Sequence, residues 1–327
     1  MDTKIHITRY NQMLKLAVVG TGIIGLDHLK AIKMSDKLEL VAICDINEEK
    51  VKELSVEYGV PYFLDYKEIP EKTDAEAVIL NLPHGLHCES SIFFLEAGLD
   101  VLLEKPMANT VAECDAMIAA ANKSGKKLAI GHIQRFYNAC HIVRDYVRSE
   151  ELGKLCMVHE LRSVNYFKPD RPRWFLSKKL AGGGIVMNYG AHLLDKVLFV
   201  TGDSVKDVSA RCANLKNSED IEGHAQFFVE LNNGVSAAAT FSGYCPVGFE
   251  TIFVFTDGAM KITGVSRVWV NKDGTWVEIP GANDGLHMLR QLEEFYKMVR
   301  GEENEMPTAE YGRNIIAAIE DIYKKGL

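Results

Sequence analysis

A glycine fingerprint near the amino terminus restricts the possible folds of this chain more than any other part of the sequence. A short apolar run, residues 16–19, leads directly into Gly20-Thr21-Gly22-Ile23-Ile24-Gly25, and residues 23–34 are expected to form a helix. In such a unit Gly20 permits the tight turn, Gly22 lets the backbone approach a pyrophosphate, and Gly25 lets the helix pack close to its strand. The pattern therefore predicts a dinucleotide-binding unit, with the phosphates at the amino terminus of the helix.

An acidic residue follows at the position that selects the nucleotide. Residues 38–44 are predicted to form the second strand, which ends at Asp45, 20 residues after Gly25. An acid at this place binds the ribose hydroxyls of NAD. The next residues, Ile46 and Asn47, supply no arginine, so the added 2′-phosphate of NADP would face Asp45 without a cation. The sequence therefore favours NAD over NADP.

The first 132 residues continue to alternate strands and helices. Further helices are expected at 47–58, 86–97 and 109–124, and further strands at 61–64, 76–81, 101–103 and 128–131. This parallel order predicts a doubly wound α/β sheet of the Rossmann type. The loop of Leu82, Pro83, His84 and His87 follows one strand and is expected to face the cofactor. Its histidines would cap a helix or back the nicotinamide, because no third ligand nearby supports a metal site.

Glu104, Lys105 and Pro106 follow the strand at 101–103, where ligands bind in a parallel sheet. Oxidation of a carbinol sends a hydride to the nicotinamide and a proton to a base. The ordinary pKa of a lysine, about 10.4, is too high for that task, but partial burial and a positive nicotinamide ring would lower the pKa. Lys105 is therefore the candidate base. Glu104 would anchor the turn, and Pro106 would restrict Lys105 to extended conformations or hold a cis bond. The alternative is a surface Glu-Lys pair ending a strand.

Bulk composition restricts the class of partner. The 327 residues are 47% hydrophobic and 25% charged, which suits a globular protein of two domains. A net charge of −8 argues against nucleic acid or an anionic membrane as the main partner. Seven cysteines without a C-x-x-C pair indicate a reduced, cytoplasmic protein, and no stretch predicts a membrane span or a signal peptide. Residues 1–13 are a candidate extension, because Met13 lies just before the first strand.

The second half, residues 133–327, begins with a basic and aromatic segment at 167–179. This segment is either a solvated loop or a lid over a polar substrate, in which Arg173 would meet an anionic group. A later loop at 242–249 either brings Tyr244 near a pocket or lies plainly on the surface. The candidate substrate contacts are Tyr166, Arg173, Trp174 and Tyr244.

A run of three glycines, residues 182–184, leads to a predicted helix. Helical spacing would place Asn188, His192 and Asp195 on one face. His192 is either an ordinary core or surface histidine or a residue that shares a proton with Lys105. Asn188, one turn earlier, would fix the tautomer of His192 or contact the same substrate.

Residues 205–280 are rich in strands. Turn signals at 232–234, 256–258 and 272–274 separate apolar runs and predict a large, mainly antiparallel sheet. One face of that sheet would pack on helices, and a second subunit is the natural cover for the other face. Two helices, at 287–300 and 308–323, close the chain.

The motifs described so far together resemble those of the Gfo/Idh/MocA oxidoreductase family, over nearly the whole chain from Leu14. They are the glycine fingerprint, the loop from Pro83 to His87, Glu104-Lys105-Pro106, and the glycine run before His192. The resemblance implies a Rossmann domain, here 1–132, and an α/β domain, here 133–327, whose open sheet forms homodimer or homotetramer contacts. The C-terminal helix is a candidate to pack back on the first domain. The resemblance also implies NAD(P)-dependent chemistry on a sugar, polyol or sugar derivative, with Lys105 as the catalytic lysine and His192 as the active-site histidine.

Asn188 departs from one branch of the family. Inositol-dehydrogenase-like members commonly carry Asp there, and asparagine cannot carry the charge that a proton relay uses. The asparagine therefore weakens the assignment of an inositol substrate. An asparagine at this position looks similar to that of UDP-N-acetylglucosamine 3-dehydrogenases. The expected function is an NAD-dependent sugar or polyol dehydrogenase. The alternatives are a reductase of a keto-sugar or nucleotide-linked amino sugar, and a non-catalytic NAD(P)-binding regulator.

Overall fold

The computed structural model describes residues 13–215 and 219–327. The described chain forms two compact units. The first unit contains residues 13–108, 112–131 and 288–313. The second unit contains residues 109–111, 132–215, 219–287 and 314–327. The candidate extension therefore lies, up to residue 12, outside the described residues.

The first unit is built on six parallel strands in the order β3-β2-β1-β4-β5-β6. The strands are β1 (Leu14–Val19), β2 (Leu38–Cys44), β3 (Tyr62–Phe63), β4 (Ala77–Leu80), β5 (Asp100–Glu104) and β6 (Leu128–Gly131). The order reverses between β1 and β4, and open α/β sheets bind ligands at such a point, outside the carboxyl ends of the strands. The predicted Rossmann sheet is therefore confirmed.

The helices predicted at 23–34, 47–58, 86–97, 109–124, 287–300 and 308–323 are present, and their ends lie within three residues of the predicted positions. The described residues form ten α-helices. They are α1 (Ile23–Met34), α2 (Glu48–Tyr58), α3 (Ile69–Lys72), α4 (His87–Glu96), α5 (Val111–Ser124), α6 (Asn138–Ser149), α7 (Lys178–Ala181), α8 (Ala191–Thr201), α9 (His287–Arg300) and α10 (Ala309–Gly326). Local chemistry explains α2 well. The Asn47 side chain accepts a hydrogen bond from the Lys50 amide at 3.1 Å, and Gly59, at φ +69°, ends the helix. In the described part of the chain, no helix is both long and apolar enough to cross a membrane.

The second unit contains an eight-stranded sheet in the order β14-β13-β12-β11-β7-β10-β9-β8. Its strands are β7 (Leu155–Ser163), β8 (Val205–Ala213), β9 (His224–Leu231), β10 (Ser236–Ser242), β11 (Phe249–Phe255), β12 (Ala259–Thr263), β13 (Arg267–Asn271) and β14 (Trp276–Ile279). Only β7 and β10 pair in parallel within this described sheet. The mainly antiparallel sheet is confirmed, and each of the three turn signals joins a hairpin.

One predicted element is wrong in its geometry. The residues after the glycine run do not form a continuous α-helix, because Val186–Gly190 is a π-helical turn and α8 begins only at Ala191. A π-turn closes over more residues than an α-turn and is frequent at functional sites. The simple spacing rule that put Asn188, His192 and Asp195 on one face therefore does not apply across this segment.

Candidate functional site

The glycine loop connects β1 to α1 with very little room. Gly20 has φ +86°, and a Cβ there would lie 2.5 Å from the Asn81 carbonyl oxygen. A Cβ on Gly25 would lie 2.1 Å from the Gly20 carbonyl oxygen. By contrast, no described atom lies within 4 Å of the Cβ position at Gly22. The first and third glycines are thus required by packing, while the second leaves open space in front of the loop.

The amino terminus of α1 is suited to an anion. Among the described residues, no side chain caps this helix start. The first amide groups of a helix lack partners within the helix, and phosphate oxygens are good acceptors for them. Ile23, which is 83% exposed, and Ile24 flank the opening with apolar surface. Open space at Gly22 and free donors at α1 together fit the pyrophosphate of a dinucleotide.

Asp45, at the end of β2, holds the glycine loop. Its Oδ2 accepts hydrogen bonds from the Thr21 amide at 2.7 Å and the Thr21 hydroxyl at 2.6 Å, and its Oδ1 accepts from the Asn47 amide at 2.9 Å. Burial raises the pKa of Asp45, but these bonds and the charge of Lys50 outweigh burial and hold the pKa below its ordinary value. Asp45 is therefore ionised at neutral pH. A carboxylate offers about four acceptor sites, so one remains for a ribose hydroxyl.

Lys50 supplies a cation beside the glycine loop that the sequence pattern did not predict. Its ammonium donates to the Thr21 carbonyl oxygen, on the same loop that Asp45 binds. The residues directly after Asp45 offer no cation, and Ile46 among them is 93% exposed. Lys50 lies in the first turn of α2, five residues after Asp45. Its position beside the glycine loop becomes visible only when α2 is folded next to that loop.

The turn after β5 is anchored by a buried acid. Glu104 Oε1 lies 3.2 Å from His28 Nε2 on α1, and Glu104 Oε2 accepts from the Lys105 amide at 3.3 Å. A Cβ on Gly131 of β6 would lie 2.9 Å from Glu104 Oε1, so glycine leaves space for this carboxylate. The bond between Lys105 and Pro106 is cis. The hydrogen bond from its amide to Glu104 anchors the backbone of Lys105, and the residue is half-buried.

His87 joins two loops of the first unit. Its Nδ1 lies 2.9 Å from the Pro106 carbonyl oxygen and its Nε2 lies 2.9 Å from the Leu82 carbonyl oxygen. Burial lowers the pKa of His87, although both carbonyl contacts favour the protonated ring. His84 is also buried, with its ring centroid 5.5 Å from that of His87. Neither the two histidines nor other described side chains form a group of three or more metal-binding residues.

In the second unit, Asn188 lies against a buried tyrosine. Tyr166 is fully buried, and burial raises the pKa of its hydroxyl, while the nearby Asn188 side chain opposes that shift. The Arg171 guanidinium lies 4.0 Å from the centre of the Tyr166 ring. The Tyr189 and His192 rings are 6.5 Å apart on the following turn. The structure therefore brings Asn188 and Tyr166 together.

Two buried ion pairs fix α8, the helix that carries His192. The Arg135 Nε donates to Asp195 Oδ1 at 3.0 Å, so Asp195 has a structural partner. The next residue, Lys196, donates to Glu160 Oε2 and to the Thr251 hydroxyl, both at 2.8 Å. Burial raises the pKa of Glu160, but the charges of neighbouring cations outweigh it and lower the pKa. Removing one member of such a pair costs about 3–5 kcal/mol.

The remaining candidate substrate residues have other partners. The Arg173 side chain is 80% exposed, and its Nη1 lies 3.7 Å from Glu219 Oε1. Trp174 stacks on Phe175 with a centroid distance of 3.7 Å. The Tyr244 hydroxyl accepts a hydrogen bond from the Leu215 amide at 2.7 Å.

Comparison with known proteins identifies the family. The family model described as "Oxidoreductase family, NAD-binding Rossmann fold" matches residues 14–132. The family model described as "GFO/IDH/MocA C-terminal domain" matches residues 141–264. The chain belongs to the Gfo/Idh/MocA family. Its first unit is therefore an NAD(P)-binding Rossmann domain, and the protein is an oxidoreductase of a family rich in sugar and polyol dehydrogenases.

Several Gfo/Idh/MocA relatives have names that state an activity. D-glucoside 3-dehydrogenase of Escherichia coli is 27% identical, over 95% of this chain and 95% of its own. Inositol 2-dehydrogenase of an Arthrobacter species is 26% identical, over 81% of this chain and 78% of its own. A 1-carboxy-3-chloro-3,4-dihydroxycyclohexa-1,5-diene dehydrogenase of Comamonas testosteroni is 28% identical over 71% of this chain, which spans only 58% of that relative's length.

A solved Gfo/Idh/MocA structure agrees in fold. The aldose-aldose oxidoreductase of Caulobacter crescentus superposes with a TM-score of 0.87 over 96% of this chain and 97% of its own. At 24% identity this likeness establishes the fold alone.

Proposed function

We propose that this protein is a dehydrogenase that transfers a hydride between NAD and a carbinol or ketone of a sugar, polyol or sugar derivative. The observation that carries this proposal is the anchored Glu104-Lys105-Pro106 turn at the carboxyl end of β5, in the same sheet as a glycine loop that leaves room for a dinucleotide. When bound, NAD supplies the hydride acceptor. The names of the relatives support the substrate class.

Lys105 would be the general base in oxidation and the general acid in reduction. The buried Glu104 carboxylate would orient Lys105 through its amide, and His87 would hold the same turn through the Pro106 carbonyl oxygen. A fixed backbone limits the positions that the Lys105 ammonium can reach, which favours transfer of one particular proton.

His192 and Asn188 would serve the substrate in the second unit. His192 would hold or relay the proton, and Asn188 would orient the substrate or His192. The neighbouring Tyr166 supports this role for Asn188, because burial keeps the Tyr166 hydroxyl neutral and able to hydrogen-bond an amide. The physiological direction could equally be reduction of a keto-sugar or a nucleotide-linked amino sugar, since the same groups serve both directions.

NAD would be preferred over NADP. Asp45 is ionised, and a 2′-phosphate beside a carboxylate is repelled. Lys50 would weaken this repulsion, but its ammonium already donates to the Thr21 carbonyl oxygen, so the charge of Asp45 would still decide the preference.

The open face of the eight-stranded sheet would bind a second copy of the chain. Its outward residues include Met157, which is 50% exposed, and Phe228, which is 44% exposed. One row of cross-strand neighbours crosses this face on β9, β10, β7 and β11, and consists of Phe228, Ala238, His159 and Ile252. Such a continuous row with apolar members is typical of an interface, and the partner would be an identical subunit in a homodimer or homotetramer.

The deciding experiment measures cofactor absorbance with a panel of inositols, aldoses, glucosides and UDP-linked amino sugars, each with NAD and NADP. We expect turnover of one class with NAD and a loss of about 10²–10⁴-fold in kcat for Lys105→Met. Lys123→Met, on the exposed side of α5, is the matched control. Binding of NADH, followed by fluorescence, should survive in both variants.

Three results would contradict the proposal. Faster turnover with NADP would overturn the role given to Asp45. Full activity of Lys105→Met would overturn the role of the lysine. Tight cofactor binding without turnover on any panel member would favour a cofactor-binding regulator on the same fold.

A further inference from the structure

Glu222 is a buried acid that no sequence motif singled out. It lies just before β9 and is only 5% exposed. Its Oε2 accepts a hydrogen bond from the Gly184 amide at 2.8 Å, and its Oε1 accepts from the Val186 amide at 2.8 Å. The carboxylate thus contacts the backbone at the beginning of the π-helical turn, directly before Asn188.

Tyr323, near the end of α10, completes the arrangement. Its hydroxyl donates to Glu222 Oε1 at 2.8 Å and accepts from the Met187 amide at 3.0 Å. Three amides in the segment 184–187 are therefore held by one carboxylate and one hydroxyl. We call Glu222 and Tyr323 the brace.

Two residues of the glycine run lie so close to Tyr323 and Glu222 that a side chain would not fit. A Cβ on Gly183 would lie 2.0 Å from the Tyr323 hydroxyl oxygen, and a Cβ on Gly184 would lie 2.1 Å from the Glu222 carbonyl oxygen. Neither distance is compatible with a side chain. The two glycines are thus explained by the approach of Tyr323 and Glu222.

The brace replaces a local helix cap. Within the described chain, no neighbouring side chain caps the turn that starts at Val186. Unpaired amides at a helix start are costly when buried, and a carboxylate there also interacts favourably with the helix dipole. Because the capping groups come from distant segments, they fix the position of the turn as well as its hydrogen bonds.

We infer that Glu222 and Tyr323 are positioning residues for the reaction, which hold the backbone of Asn188 and the start of the His192 helix in the geometry that the substrate requires. This inference rests on the proposed function. The two residues act through the backbone of 184–187, and neither needs to touch the substrate. Burial raises the pKa of both groups, while the hydrogen bonds from Val186, Gly184 and Tyr323 oppose that shift at Glu222.

Glu222→Gln and Tyr323→Phe test the inference, with Glu151→Gln, an exposed acid just before β7, as the control. Glutamine keeps the shape of Glu222 but presents an amide donor where the carboxylate accepts from backbone amides. We expect kcat to fall about tenfold or more in both brace variants at a temperature where they are fully folded, with NADH affinity unchanged. The double variant should lose little more than either single variant, since both act through one arrangement.

A second measurement does not depend on turnover. The imidazole resonances of His192, assigned with His192→Asn, should shift in the NMR spectra of both brace variants and stay in place in Glu151→Gln. Unmoved His192 resonances, or full kcat in folded Glu222→Gln, would overturn the inference. Shifted resonances in a protein whose wild type turns over no substrate would instead mean that the brace exists and the proposed function fails.

Discussion

At the scale of single residues, two buried polar side chains, His87 and Glu222, each contact the backbone at two points. His87 meets the carbonyl oxygens of Leu82 and Pro106, and Glu222 meets the amides of Gly184 and Val186. A buried polar group left without such partners costs about 1–3 kcal/mol, so these side chains fix loops that carry the site. Their protonation states consequently become part of the stability of the fold.

His87 should make stability depend on pH. Burial lowers its pKa below the ordinary value near 6.5, so the unfolded chain binds the proton more readily than the folded protein. Its contribution is therefore complete above about pH 6.5 and is lost as the pH falls toward the lower folded pKa. Urea unfolding between pH 8 and pH 5 should show a steeper fall in wild type than in His87→Asn, by up to about 1.4 kcal/mol per pH unit. Parallel curves for the two proteins would contradict this assignment.

At the scale of elements, the segment from the glycine run to α8 is shaped by its neighbours. The π-turn at Val186–Gly190 lies between the brace and the buried ion pairs of Asp195 and Lys196. Different partners hold the two ends of this helical segment, so neither end can rotate freely about the helix axis. An extra residue in one turn lets the contacts at both ends form together.

Gly184→Ala should show how tightly this element is packed. The added Cβ would lie 2.1 Å from a backbone oxygen, so the turn or the Glu222 segment must move. We expect a loss of about 1–3 kcal/mol in the free energy of unfolding, measured in urea. Gly248→Ala is the control, because no described atom lies within 4 Å of that Cβ position, and it should change stability by less than about 0.5 kcal/mol. Equal effects in the two variants would refute the packing argument.

At the scale of the whole molecule, the eight-stranded sheet has two different faces. Residues that alternate along β9, such as Phe227 and Val229, are buried, while Phe228 between them is exposed. The inner face is covered within the second unit, where Lys196 of α8 reaches β7 and β11. The outer face keeps a row of cross-strand neighbours that the unit itself does not bury.

Phe228→Glu should therefore separate the subunits. A charge at this position would have to be buried in a homodimer or homotetramer, which is costly without a partner. We expect sedimentation analysis to show an oligomer for wild type and a monomer for Phe228→Glu, with NADH binding kept. Val277→Glu is the control, since Val277 is an exposed apolar residue on edge strand β14 and pairs with Val270. A monomeric wild type would end the self-association proposal.

Local sequence patterns were enough to predict the main strands and helices and their order along the chain. The glycine fingerprint, the apolar runs and the hairpin turns each depend on residues close together in the chain, and such local patterns fix local conformation. They predicted α1, Asp45 at the end of β2, the Lys105 turn and the antiparallel hairpins. Spacing along a helix failed only where the chain departs from α-helical geometry, at Val186–Gly190.

The groups that hold the site could be identified only from the folded chain. Gly184 and Glu222 are 38 residues apart, Met187 and Tyr323 are 136 apart, and Lys196 and Glu160 are 36 apart. A hydrogen bond or ion pair between distant residues leaves no periodic pattern in the sequence, because each partner alone looks like an ordinary polar residue. The brace, the double contact of His87 and the approach of Lys50 to the glycine loop therefore became visible only when packing brought these side chains to the backbone they bind.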